Sequence, residues 1–199
     1  MGGLVDFPSN GHTCRGYLAV PTSGSGPGVI VIQEWWGLVP HIMDVCDRFA
    51  AEGFVALAPD LFHGRHTTEP DEAGKLMMAL NLEQAGKDLG GAIDHLKALD
   101  AVTSRGVGVI GFCMGGGLAL MLGTQRPDEV AAIVPFYGVI PWEGVQPDWS
   151  RLQASVRGHF AGNDAFFGPE MVKQLEDRLR ALGKDAELIV HPGVEHAFF

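Results

Sequence analysis

Val107-Gly-Val-Ile-Gly111-Phe-Cys113-Met-Gly115-Gly-Gly117-Leu-Ala-Leu is the stretch from which the rest of the chain is read. A short apolar run at 107–110 meets a glycine-rich turn at 111–117 and passes into an Ala- and Leu-rich helical stretch at 118–123. Strand, tight turn and helix in succession make the unit from which α/β folds are built. Inside the turn, Gly111-x-Cys113-x-Gly115 has the form of a nucleophile elbow. There the nucleophile sits in a strained backbone conformation, and glycines two residues to either side avoid a Cβ collision with the neighbouring chain.

The same alternation repeats outward in both directions. Upstream, 28–33 (GVIVIQ) follows the turn-rich Pro21-Thr-Ser-Gly-Ser-Gly-Pro27 and is almost continuously β-branched, as a strand buried on both faces requires. A helix is expected over 41–52, stopped by Gly53, and then a strand over 54–58 that ends at Pro59-Asp60. Residues 61–73 read as polar loop, and 71–99 as one or two helices with Ile93, Leu96 and Leu99 on the apolar face. Downstream come a strand at 130–134, a long loop at 136–153 through Pro141 and Pro147, a strand at 156–160, a helix at 171–182 and a last strand at 186–190. The pattern predicts an α/β fold in a single domain, 1–199, with a mostly parallel sheet flanked by helices.

Composition narrows the function. With 24 acidic and 14 basic residues the net charge is −10, and no basic cluster is present to neutralise a phosphate backbone, so nucleic acid is not an expected partner. The 46% hydrophobic content suffices for a packed core. No apolar run is long enough to span a bilayer, the start Met1-Gly-Gly-Leu-Val-Asp6 lacks a basic, apolar leader, and Asp6 stands where a myristoylation signal needs Ser or Thr. Cys14, Cys46 and Cys113 are too widely spaced for a disulfide framework or a metal knuckle. The expectation is a cytoplasmic protein acting on a small molecule, without metal or cofactor, as a monomer or homo-oligomer.

The chemistry centres on Cys113. The helix after the elbow presents its partly positive N-terminus to the sulfur and favours the thiolate. Cys14, in an early polar stretch, and Cys46, beside Val45 and Phe49, have no such setting and read as packing residues. A thiol nucleophile needs a base and the base an orienting acid, which in elbow folds follow along the chain as acid, then His. Asp164, in Ala161-Gly-Asn-Asp164 after the strand at 156–160, and His196, in Gly193-Val-Glu-His196 after the last strand, fit that order. His191 competes with His196, and Asn163 and Asp148 with Asp164, but each competitor lies inside or before the relevant strand end or is not ionisable. Glu34 ends a buried apolar strand, where a carboxylate is costly to leave unpaired, so it is either functional or part of an ion pair.

Together these segments resemble the dienelactone hydrolases, the Cys-dependent branch of the α/β-hydrolases. The resemblance rests on Gly111-Phe-Cys113-Met-Gly-Gly116, Gln33-Glu34-Trp-Trp-Gly37, Ala58-Pro-Asp-Leu61, Phe136-Tyr-Gly138, Ala161-Gly-Asn-Asp164 and His196-Ala-Phe198, in the family's order. It implies an α/β-hydrolase fold and hydrolysis of small esters or lactones through Cys113, His196 and Asp164, with Glu34 assisting the thiol. Backbone N–H groups of Trp35 and Met114 would form the oxyanion hole, and Trp36 and Met77 would line a pocket.

The sequence departs from the family in two places. Arginines that would hold a substrate carboxylate are absent: 66–104 contains Lys75, Lys87 and Lys97 but no Arg, which leaves Arg65 as a substitute. The chain also stops three residues after His196, before the final helix that the resemblance implies, so that apolar sheet surface would be exposed or covered by a partner. Gly106-Val-Gly-Val-Ile-Gly111 matches a nucleotide fingerprint, but its glycines fall within the strand, and His63-x-x-His66 has no further ligand at metal spacing. An accessible low-pKa thiolate also suits a redox sensor or a ligand-binding protein without hydrolytic activity.

Overall fold

The fold begins with two strands in a stretch that reads as polar. In a computed structural model that describes residues 2–140 and 146–199, β1 (Gly3–Ser9) and β2 (His12–Ala19) form an antiparallel hairpin. Asn10 and Gly11 turn it with φ of +45° and +87°. Two residues with positive φ match the right-handed twist of a tight hairpin, and Asn-Gly is the pair that adopts this most cheaply. Cys14 lies buried on β2 opposite Phe7, the setting of a packing residue.

Two compact units follow, Met1–Gly108 and Val109–Phe199, and the division falls within one strand. The first continues with β3 (Gly28–Ile32), α1 (Pro40–Ala51), β4 (Val55–Pro59), α2 (Pro70–Met78) and α3 (Leu82–Ala98). Its strand order is β1-β2-β4-β3, antiparallel except for β3 with β4. Every residue of β3 and β4 is buried, which is why both read as unbroken apolar runs rather than as alternation. Ile42, Val45 and Cys46 of α1 and Leu89, Ile93 and Leu96 of α3 bury one stripe of each helix.

The second unit takes up β5 (Val107–Phe112) and adds α4 (Met114–Gln125), β6 (Val130–Phe136), a 3-10 turn (Trp149–Arg151), β7 (Ser155–Ala161), α5 (Pro169–Ala181) and β8 (Ala186–His191). Its order is β5-β6-β7-β8, with β6, β7 and β8 parallel. Among the described residues this gives an α/β fold of eight mostly parallel strands and five α-helices. Gly115, Gly116 and Gly117 are helical, not part of the turn: α4 starts directly after Cys113. Glycine is a poor helix former, yet side chains at 116 and 117 would crowd the carbonyl oxygens of Gly138 and Val139, so close packing overrides propensity. The loop expected over 136–153 is shortened by β6 at one end and the 3-10 turn at the other, and its positions 141–145 lie outside the described residues.

Candidate active site

At the end of β5 the chain reverses through Cys113, whose φ of +53° and ψ of −119° lie where a residue with a side chain is strained. The strain is held by two bonds: Cys113 N–H donates to the Phe136 carbonyl (3.0 Å), and the Cys113 carbonyl accepts from Gly116 N–H (2.9 Å). Space is as tight as the backbone. A Cβ on Gly111 would stand 2.0 Å from the Gly115 oxygen, and one on Gly138 would stand 1.8 Å from the Cys113 oxygen. Cys113 is partly exposed, whereas Cys14 and Cys46 are buried. Burial pushes both buried thiols up to about 12, with Asp88 and Asp60 adding to the effect on Cys14 and Asp47 to that on Cys46.

Asp164 follows β7 and is clamped on both carboxylate oxygens. Oδ1 accepts from the N–H groups of Phe166 (2.8 Å) and Phe167 (2.9 Å), and Oδ2 lies 2.8 Å from His196 Nδ1. Burial alone would raise this carboxyl, but the Phe167, His196 and Phe166 donors outweigh it and hold it below the usual carboxylate range. An ionised Asp164 can only accept, so Nδ1 of His196 carries the proton and Nε2 is left as the basic atom. β7 and β8 are parallel, so Asp164 and His196 leave the same edge of the second unit.

Tyr137-Gly138 ties this pair to the elbow. Tyr137, at φ +35° and fully buried, donates its N–H to the His159 carbonyl (2.8 Å) and sets its ring edge-on to His196, centroids 5.0 Å apart. It also touches Phe112, the residue before Cys113, while Gly138 lies directly on the Cys113 carbonyl. Tyr137 thus touches His196 and Gly138 touches Cys113, within the unit that also holds the Asp164–His196 bond. The competitors are engaged elsewhere. His191 pairs with His159, and Asp148 caps the 3-10 turn through Ser150 N–H; Asn163, whose side chain cannot ionise, is exposed.

The remaining expected residues belong to the first unit. Glu34 is buried just beyond β3, and the neighbouring Gln33 accepts from Leu61 N–H through its side chain. Trp35 and Trp36 are half-buried and meet edge to face at 5.0 Å. Arg65 is exposed at a cavity of about 200 Å³ that Phe62, His63, Leu80 and Gln84 also line, and Met77 is half-buried on α2. His63 lies 3.2 Å from buried Asp88, and among the described residues no group of three His, Cys, Asp or Glu could hold a metal. Gly108 and Gly111 stand inside β5, with no helix opening before Met114.

Residues 14–199 match the dienelactone hydrolase family. The chain belongs to that family. Its fold is therefore that of the α/β-hydrolases. Protein usf of Aquifex pyrophilus is 39% identical over 100% of this chain and 87% of its own, and a provisionally named carboxymethylenebutenolidase of Aquifex aeolicus is 34% identical with the same coverage. The crystal structure of a dienelactone hydrolase-like promiscuous phosphotriesterase from metagenomic libraries superposes with a TM-score of 0.87 at 27% identity, covering 100% of this chain and 84% of that one.

Within this family member, two features of the site have no role in the sequence reading. The Phe166 and Phe167 N–H clamp on Asp164 is an Asx-type turn, which an Asp followed by a tight turn can signal. Tyr137 lies in the segment Phe136-Tyr-Gly138, and its contact with His196 depends on strand register that no local motif displays.

Proposed function

We propose that this family member is a cysteine-dependent hydrolase of small esters or lactones. The observation that supports it is the Asp164–His196 hydrogen bond in the same unit as a strained, partly exposed Cys113, with Tyr137-Gly138 touching both. Cys113 Sγ gives its proton to His196 Nε2 and attacks the carbonyl carbon. The oxyanion that forms is held by the Met114 N–H at the start of α4, where helix N–H groups have no intrahelical acceptor. His196 returns the proton to the departing alkoxide or enolate, leaving an acyl thioester on Cys113. Water, deprotonated by His196, then attacks the thioester, and the acid product leaves with the thiol restored.

Thiolate is a better leaving group than alkoxide or amide anion, so an activated ester or lactone suits this nucleophile and a peptide bond does not. Glu34 as an aid to thiol ionisation, Trp35 N–H as a second oxyanion donor, and Trp36 and Arg65 as substrate contacts rest on the family resemblance. The family match runs through both units, which supports reading 1–199 as one domain. Three reduced thiols suit the cytosol.

Steady-state hydrolysis of p-nitrophenyl acetate, a cis-dienelactone, an acyl thioester and an aryl phosphotriester, with wild type beside Cys113→Ala, tests the reading. Turnover of a carboxylic ester or lactone that falls about a thousandfold or more in Cys113→Ala is the expected result. Full activity in the variant would overturn the nucleophile. Rapid thiol alkylation without turnover on any substrate would instead favour a redox-sensing thiol.

A further inference from the structure

β7 and β8 carry a second pair of facing side chains outside the triad. The register sets His159 opposite Ile189 and Ala161 opposite His191, so the two imidazoles share a face of the sheet. His159 Nδ1 lies 3.0 Å from His191 Nε2, with the rings stacked at 5.3 Å and 27°. Such a bond needs one ring nitrogen to donate and the other to accept; two imidazolium rings offer only donors. Burial, and then the neighbouring His191, hold the His159 imidazole below its ordinary value.

From this pair a line of rings runs to His196. His159 leans on Phe136 (4.9 Å), His191 on Phe198 (5.3 Å), Phe198 on Tyr137 (5.3 Å) and Tyr137 on His196 (5.0 Å). Between His196 and Phe198 the chain turns through Ala197 at φ +61°, a region a residue with a side chain enters only when its surroundings over-determine it. Asp164 holds the His196 side of that turn, and His191 and Tyr137 hold the Phe198 side.

We infer that the His159–His191 hydrogen bond positions the base: by fixing His191 against Phe198 it maintains the Ala197 turn and, with it, the direction of His196. The two imidazoles act through Phe198 and touch no reacting atom. The inference rests on the reading of His196 as the base.

The test is kinetics of His159→Leu, His159→Asn, His191→Phe and His196→Ala on p-nitrophenyl acetate, with melting temperatures measured in parallel. Leu removes the bond, Asn keeps a polar atom near the place of Nδ1, and Phe keeps a ring for Phe198 without the bond. A misplaced catalytic group lowers kcat steeply, so His159→Leu and His191→Phe are expected to lose about tenfold or more in kcat, with KM within about twofold and melting nearly unchanged. His159→Asn is expected to recover most of the loss. Unchanged kcat in His159→Leu and His191→Phe, or an equal loss in His159→Asn and His159→Leu, overturns the inference. Should His159→Leu fail to fold, His191→Phe decides by the same criterion. Wild-type turnover in His196→Ala removes the base itself and the inference with it, whereas loss there with unchanged kcat in the other variants overturns the inference alone.

Discussion

The three cysteines differ in environment: Cys14 and Cys46 are buried, and Cys113 is partly exposed. Burial pushes the first two up to about 12, while Cys113 stands at a helix N-terminus that favours its anion. Native protein at pH 8 is therefore expected to take up one equivalent of iodoacetamide quickly, with none in Cys113→Ala; rapid modification of two thiols, counted by mass spectrometry, would contradict this. Asp164→Asn keeps the shape but replaces the carboxylate that fixes the His196 tautomer. Its kcat should fall by about 10² to 10⁴. The same side chain makes a stability prediction. Its pKa is depressed in the folded protein, so its contribution is present above the unfolded value near 4 and lost as pH falls through the lower folded value. Urea unfolding between pH 5 and pH 3 should be steeply pH-dependent in wild type and flatter in Asp164→Asn. The strained turn at Cys113 and the Asp164–His196 pairing were legible because elbow spacing and chain order are sequence properties. Tyr137, His159 and His191 were not, because Phe136 and His159 meet only through the register of β6 and β7.

Elements differ in how openly their sequences state them. β3, β4 and β5 are apolar runs of strand length between turn residues, and any reading finds them. The β1–β2 hairpin hides because one face is exposed, so Asp6, Thr13 and Arg15 alternate with Phe7, Cys14 and Gly16 and resemble a loop. Asn10-Gly11 was the available signal, and it predicts a cost for change. Gly11→Ala at φ +87° should destabilise by about 1 kcal/mol in urea denaturation, since a Cβ is strained there although nothing crowds it. Gly138→Ala is the opposite case. Gly138 has ordinary φ, but its Cβ would overlap the Cys113 carbonyl, so the backbone must shift. A loss of about 1–3 kcal/mol or more, together with loss of thiol reactivity, is expected, and a variant with wild-type stability and alkylation rate would show that the contact is not tight.

For the molecule as a whole, the class and the element order from β3 onward were legible from alternation, whereas sheet order and the helical start at Met114 depended on packing between distant segments. Stability should also depend on pH in a window that the carboxylates do not explain. Burial holds both His95, stacked on Phe7, and His159 below their ordinary value. The unfolded chain then binds more protons than the folded one as pH drops below about 6.5, so stability is full above that value and declines beneath it. The urea midpoint is expected to be lower at pH 5.5 than at pH 7.5, and the difference to shrink in His95→Phe, which keeps the ring against Phe7. Equal midpoints at the two pH values would rule this out. Finally, the bare backbone of Gly138 against Cys113 bears on protein engineering. A designer transplanting the Cys113 turn into another scaffold cannot move the segment 111–115 by itself. The smallest portable piece is β5, the first turn of α4 and the Tyr137-Gly138 exit of β6, because the socket that receives the sulfur's own backbone is built from the next strand.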